Sequence, residues 1–64
     1  MCNMPLAQIS LWAGRSLDEK RKLVEEVTDA ISRALDYPKD NIRVILYEIP
    51  KENWGIGGKL ATER

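Results

Sequence analysis

Leu6-Ala7-Gln8-Ile9-Ser10-Leu11-Trp12-Ala13-Gly14-Arg15-Ser16-Leu17-Asp18-Glu19, residues 6–19, holds the change of period on which the fold turns. Up to Trp12 the period is two. Ala7, Ile9 and Leu11 share one face of a strand, and Leu6, Gln8, Ser10 and Trp12 share the other. Gly14 ends the strand. Ser16-Leu17-Asp18-Glu19 then has the form of a capping box. The serine hydroxyl can accept from the backbone N–H three residues on, while Glu19 reaches back to the N–H of the cap, so a helix opens here.

Downstream, Leu23, Val27, Ala30, Ile31, Ala34 and Leu35 recur at helical spacing as one apolar stripe. Lys22, Glu25, Glu26, Asp29 and Arg33 fill much of the opposite surface. Asp18–Lys22 and Asp29–Arg33 are expected ion pairs four residues apart, each contributing about 0.3 kcal/mol. Asp36-Tyr37-Pro38 stops the helix, because a proline disfavours helical geometry in the residue before it. Lys39-Asp40-Asn41 reads as a turn. Ile42 to Ile49 reads as a second strand, with Ile42, Val44 and Leu46 on one side and Arg43, Ile45, Tyr47 and Ile49 on the other. Pro50 interrupts it, and Trp54-Gly55-Ile56-Gly57-Gly58 is too rich in glycine for anything but a tight turn or short hairpin. Neighbouring strands joined through a helix are parallel, with a right-handed crossover. The expected fold is therefore α+β: a short β-α-β unit with parallel strands and a C-terminal hairpin.

Size adds a demand of its own. A chain of 64 residues and 7.3 kDa buries only about 60% of the surface its unfolded form exposes. Disulfides, a structural metal or oligomerisation are the usual remedies. One cysteine excludes an internal disulfide, and the chain has no histidine to build a metal cluster. Two strands and one helix leave a sheet face bare, and the second strand is apolar on both sides. That face is expected to meet another subunit. Ten basic against ten acidic residues give a net charge of +0, with no basic footprint for nucleic acid or an anionic membrane. No apolar run approaches the ~20 residues of a membrane span. The uncharged start from Met1 to Ala13, broken by Asn3, Pro5, Gln8 and Ser10, is not expected to be a signal peptide. The expected compartment is the cytoplasm.

Few side chains remain for chemistry. Without histidine, acid–base work must come from carboxylates, lysines, tyrosines or a chain-terminal amine. Gly55-Ile56-Gly57-Gly58 lacks the Lys-Ser/Thr of a phosphate-binding loop, and no helix of useful length follows it, so a glycine hairpin is the better reading. Arg43, among apolar strand neighbours, is either a solvated or ion-paired strand residue or a bidentate carboxylate ligand. Arg15 stands at the junction of strand and helix. Trp12 and Trp54 are core or interface anchors, or pocket walls. Cys2 reads most simply as an inert thiol.

Pro5-Leu6-Ala7-Gln8-Ile9, Gly14-Arg15-Ser16, Val27-Thr28-Asp29-Ala30-Ile31, Ile42-Arg43-Val44 and Asn53-Trp54-Gly55-Ile56-Gly57-Gly58 together resemble the 4-oxalocrotonate tautomerase family. The resemblance runs from Pro5 through nearly all of the chain, and it is the order and spacing of these elements that make it specific. It implies dimers of β-α-β chains, usually assembled as a trimer of dimers. It also implies keto–enol tautomerisation of 2-hydroxymuconate-like enol or 2-oxo acids, with no cofactor and no metal. By position, Pro5 would be the base, its secondary amine kept neutral by desolvation and nearby cations. Arg15 would hold the remote carboxylate. Arg43, from a neighbouring subunit, would engage the 2-oxo or hydroxyl group and its carboxylate. Trp54, where the family usually has phenylalanine, would keep the pocket dry, and Trp12 and Ile56 complete the expected substrate-binding set. The expected partners are a small carboxylic acid and other subunits in a homo-oligomer (dimer or hexamer) or a hetero-hexamer, with no nucleic acid and no membrane.

The chain departs from the family pattern at its head. Met1-Cys2-Asn3-Met4 precedes Pro5, giving an expected division into an extension, 1–4, and a single tautomerase-like domain, 5–64. A proline joined to a preceding residue has an amide nitrogen, which is not a useful base. Either Met4 is an initiator whose removal frees the Pro5 amine, or another group, such as the Met1 amine (reference pKa about 8) or Cys2, replaces it. Two further readings stand beside tautomerisation. One is a non-catalytic oligomer of the same fold that binds carboxylate ligands or a partner. The other is hydration or dehalogenation of unsaturated acids, with Glu48, Glu52 or Glu63 as the extra carboxylate.

Overall fold

The computed structural model describes residues 5–63; residues 1–4, and with them Cys2 and the Met1 amine, lie outside the described residues. Strand β1 (Leu6–Trp12) leads into helix α1 (Leu17–Leu35). A 3-10 turn (Lys39–Asn41), strand β2 (Arg43–Ile49) and a second 3-10 turn (Lys51–Asn53) follow. The hairpin β3 (Gly55–Ile56) and β4 (Lys59–Leu60) and a last 3-10 turn (Ala61–Glu63) complete the chain. β1 and β2 pair in parallel, in register from Leu6 opposite Arg43 to Trp12 opposite Ile49. The α+β expectation holds.

The helix begins where its sequence says it should. Ser16 Oγ accepts from the Glu19 N–H and Glu19 Oε1 accepts from the Ser16 N–H, both at 3.1 Å, so two otherwise unpartnered donors are satisfied. Its end falls at the expected block, on its first residue. Asp36 takes the left-handed conformation at φ 52°, the Tyr37 N–H donates to Ser32 O at 3.2 Å, and Ser32 Oγ donates to the Tyr37 carbonyl at 2.7 Å. The helix has therefore closed before Pro38 acts. At the second strand, Ile42 closes the 3-10 turn with its N–H on Lys39 O at 3.1 Å, so β2 starts at Arg43 rather than Ile42. The glycine run forms the expected hairpin: Gly57 (φ 59°) and Gly58 (φ 88°) supply the two positive φ values that a two-residue type I′ loop needs.

α1 covers one face of the β1–β2 pair. Ala7, Ile9 and Leu11 of β1 and Val44 and Leu46 of β2 turn toward it and are half-buried. The helix meets them with Leu23, Val24, Val27, Thr28 and Ile31, whereas Ala30, Ala34 and Leu35 of the expected stripe are exposed. The stripe is wider than two strands can cover, so its far edge stays in water. The expected helix ion pairs also resolve differently. Asp18 pairs with Arg21 at 2.9 Å instead of Lys22. Asp29 pairs with Lys39 at 2.8 Å instead of Arg33, because the turn after the helix brings Lys39 back alongside it. That hydrogen bond holds the Asp29 carboxyl below its usual range and the Lys39 ammonium above its own.

The opposite sheet face is open. It carries Leu6, Ile45 and Tyr47 at 51%, 40% and 45% exposure, with Gln8 Nε2 donating to the Tyr47 hydroxyl at 3.2 Å. No described residue is fully buried. The radius of gyration, 14.9 Å, exceeds the roughly 11 Å expected of a compact chain this long.

Candidate functional site

The residues singled out by sequence fall at the two ends of β1. Pro5 and Arg43 mark the first end, where the Arg43 N–H donates to the Pro5 carbonyl at 3.0 Å. Strand alternation sends their side chains apart. Pro5 is half-buried in phase with Ala7, on the helix side, while Arg43 lies exposed in phase with Ile45, on the open side. Among the described residues no carboxylate lies within 4.0 Å of the Arg43 side chain.

Trp12, Arg15 and Trp54 gather at the far end. Seven residue steps of strand separate Pro5 from Trp12, about 23 Å, so one subunit cannot bring them together. The Trp12 and Trp54 rings meet edge to face, with centroids 5.8 Å apart and planes at 78°, a favoured aromatic geometry. Lys51 Nζ sits over the Trp12 ring, 4.7 Å from its centroid. Arg15, immediately before the helix cap, lies 3.7 Å from Glu19 Oε2 and is otherwise open to solvent. Its fork keeps donors for a further carboxylate. Ile56 is half-buried in the hairpin, which the Ala61 N–H ties back to Trp54 O at 2.8 Å.

A cleft of about 350 Å³ opens between β1 and the first turns of α1, lined by Leu11, Trp12, Arg15, Glu19, Lys20 and Leu23. Lys20, one of the lining residues, is cross-linked by its Nζ to Glu48 Oε1 at 3.0 Å. An indole wall, two leucines, two cations and the Glu19 carboxylate line the cleft. Sequence reasoning did not single out Lys20 or Lys51 for this end of the molecule. Lys20 carries a readable signal in being one turn beyond Ser16, on the face of Leu23 and Val24. Glu63, a candidate acid by type, has its Oε1 on the Leu60 N–H at 3.2 Å and closes the hairpin end instead. No helix among the described residues is long and apolar enough to cross a membrane.

A parallel strand pair under one helix, with a glycine hairpin after it, matches known proteins along nearly its whole length. The family model described as "Tautomerase enzyme" matches residues 5–64. The chain belongs to the tautomerase family and is an isomerase. It is 50% identical over 60 residues to a 2-hydroxymuconate tautomerase of Pseudomonas putida, covering 94% of this chain and 95% of that protein. With the protein of that name from Stutzerimonas stutzeri the identity is 52% over 58 residues, covering 91% and 92%. Among solved structures, a 4-oxalocrotonate tautomerase isozyme from Methylibium petroleiphilum superposes with a TM-score of 0.87 at 50% identity, covering 91% of this chain and 94% of that one. A heterohexamer 4-oxalocrotonate tautomerase from Chloroflexus aurantiacus superposes with a TM-score of 0.89 at 33% identity, covering 94% and 97%.

Proposed function

We propose that this tautomerase converts 2-hydroxymuconate-like enol acids to their 2-oxo isomers without a cofactor, with Pro5 as the proton carrier. In the reaction the 2-hydroxyl O–H bond breaks and C=O forms. The conjugated double bond shifts, and the proton is delivered to the distal carbon. A neutral secondary amine near physiological pH can take and return that proton. Arg15 holds the remote carboxylate, Arg43 of a neighbouring subunit engages the 2-oxo end, and Trp12, Trp54 and Ile56 exclude water. The observation that carries the reading is the cleft in which a guanidinium with spare donors stands beside an indole wall. The similarity to relatives called 2-hydroxymuconate tautomerase favours an enzyme over a binding-only oligomer.

The same proposal requires assembly, as a homo-oligomeric dimer or hexamer, or with a second type of chain in a hetero-hexamer. With Pro5 and Trp12 about 23 Å apart on one strand, the base of one subunit must meet the cleft of another. The exposed apolar sheet face offers the surface for it. The domain in this reading runs over 5–64, and the Pro5 nitrogen is an amine only once Met4 has been removed.

The test compares the full chain with a chain beginning at Pro5, following ketonisation of 2-hydroxymuconate. The Pro5 chain should accelerate it strongly and the full chain should not. Rapid isomerisation with the tetrapeptide still attached would overturn Pro5 as carrier, and no acceleration by either chain would leave the binding-only reading.

A further inference from the structure

We infer that Lys51 is a positioning residue, which together with Trp54 clamps the Trp12 indole as the wall of the cleft; this rests on the cleft being the substrate site proposed above. The clamp follows from the shape of one short turn. Lys51–Asn53 is a 3-10 turn, closed by the Trp54 N–H on Lys51 O at 3.1 Å. A 3-10 helix has three residues per turn, so side chains three apart eclipse one another. Residues 51 and 54 therefore project on the same side, and both reach Trp12: Lys51 with its ammonium 4.7 Å from the ring centroid, and Trp54 edge to face at 5.8 Å.

Trp12 needs holding. It is the last residue of β1 and is 39% exposed. The Ala13 N–H on Ile49 O at 3.0 Å fixes the backbone on either side of the turn, but it does not choose the χ angles of the indole. The contacts from Lys51 and Trp54 do. Among the described residues no carboxylate lies within 4.0 Å of Lys51, so no ion pair competes with the ring for its ammonium. The turn is itself started by Pro50, whose φ of −66° suits the entry.

The experiment uses the chain beginning at Met1 and the chain beginning at Pro5, each labelled with 15N at the two indole nitrogens and titrated with cis,cis-muconate. Muconate is a dicarboxylate lacking the 2-hydroxyl, so binding is read without turnover. In Lys51→Met the Trp12 indole cross-peak should move and broaden, and the muconate Kd should rise about two- to fivefold, the size set by an exposed cation–π contact. Lys51→Arg, which also stacks on an indole, should restore both. An unmoved cross-peak in Lys51→Met overturns the clamp. A moved cross-peak with an unchanged Kd overturns its role in the cleft, as does a Kd that Lys51→Arg fails to restore. A parent protein that binds muconate at Trp12 but isomerises nothing would sink the proposed function while leaving the clamp standing.

Discussion

Lys20 Nζ lies 3.0 Å from Glu48 Oε1, joining the second turn of α1 to the far end of β2. The side chains are 27% and 36% exposed, so the pair is more sheltered than an ordinary surface bridge. It fastens the helix at the end of the sheet where the cleft opens, opposite Leu11 in the ladder.

Lys20→Met and Glu48→Gln should each destabilise the protein by about 1 kcal/mol, the upper end for a partly screened pair. The double variant should lose less than the sum of the two, because the second substitution removes a charge already stranded by the first. Urea midpoints of the four proteins at one subunit concentration measure the coupling; strict additivity would show that the bridge contributes nothing.

The two arginines should separate kinetically. Arg43→Ala should lower kcat/KM on 2-hydroxymuconate by about 10- to 100-fold, the loss of a charged hydrogen bond of about 1.5–3 kcal/mol. Arg15→Ala should raise KM about tenfold for a dicarboxylate while leaving a monocarboxylate nearly unaffected. Full activity in both variants would remove these residues from the proposed site.

Ser16→Ala removes the hydroxyl that accepts from Glu19 and should cost about 1 kcal/mol. Ser16→Asp should retain most of that stability, since a carboxylate caps equally well and favours the positive end of the helix dipole. Thermal unfolding followed by circular dichroism distinguishes the pair.

Asp29 and Lys39 give the stability profile two limbs. The Asp29 carboxyl is held below its ordinary 3.8, mainly by the hydrogen bond from Lys39, so its contribution is present above that value and disappears as pH falls through the depressed folded one. Lys39 is held above its ordinary 10.5, mainly by Asp29, so its contribution is complete below 10.5 and disappears as pH rises through the raised folded value. The advantage of the parent over Asp29→Asn should therefore be widest at intermediate pH and shrink at both extremes. Denaturant midpoints across pH, with parent and variant in parallel, would refute this if the two curves kept a constant separation.

Most of the fold was legible in the sequence because its signals are local. The alternation of Leu6 to Trp12, the Ser16–Glu19 box and the paired glycines 57 and 58 each carry their geometry within a few residues. Ion pairing was not legible. Asp29 has Arg33 one turn away on its own helix, yet takes Lys39, which only the fold of the following turn brings near. The width of the helix's buried stripe depended on how much sheet lies beneath it, which the residues of the helix do not encode. The sequence names Pro5, Arg15, Arg43, Trp12 and Trp54 as candidates; the ladder adds which of them share an end of β1. Parallel pairing puts Pro5 beside Arg43, and only the direction of the second strand decides that. Lys51 went unnoticed because Lys51-Glu52-Asn53 has no periodic pattern. Its meaning comes from the 3-10 geometry that follows Pro50.

No described residue is fully shielded from water, and in the proposed oligomer this would make subunit concentration a folding variable. Outside that assembly an isolated chain would have too little dry interior to sustain its own order, so association and folding would be one thermodynamic event governed by mass action. The melting temperature should climb as the protein is concentrated, and dilution alone should unmake the structure as surely as heat.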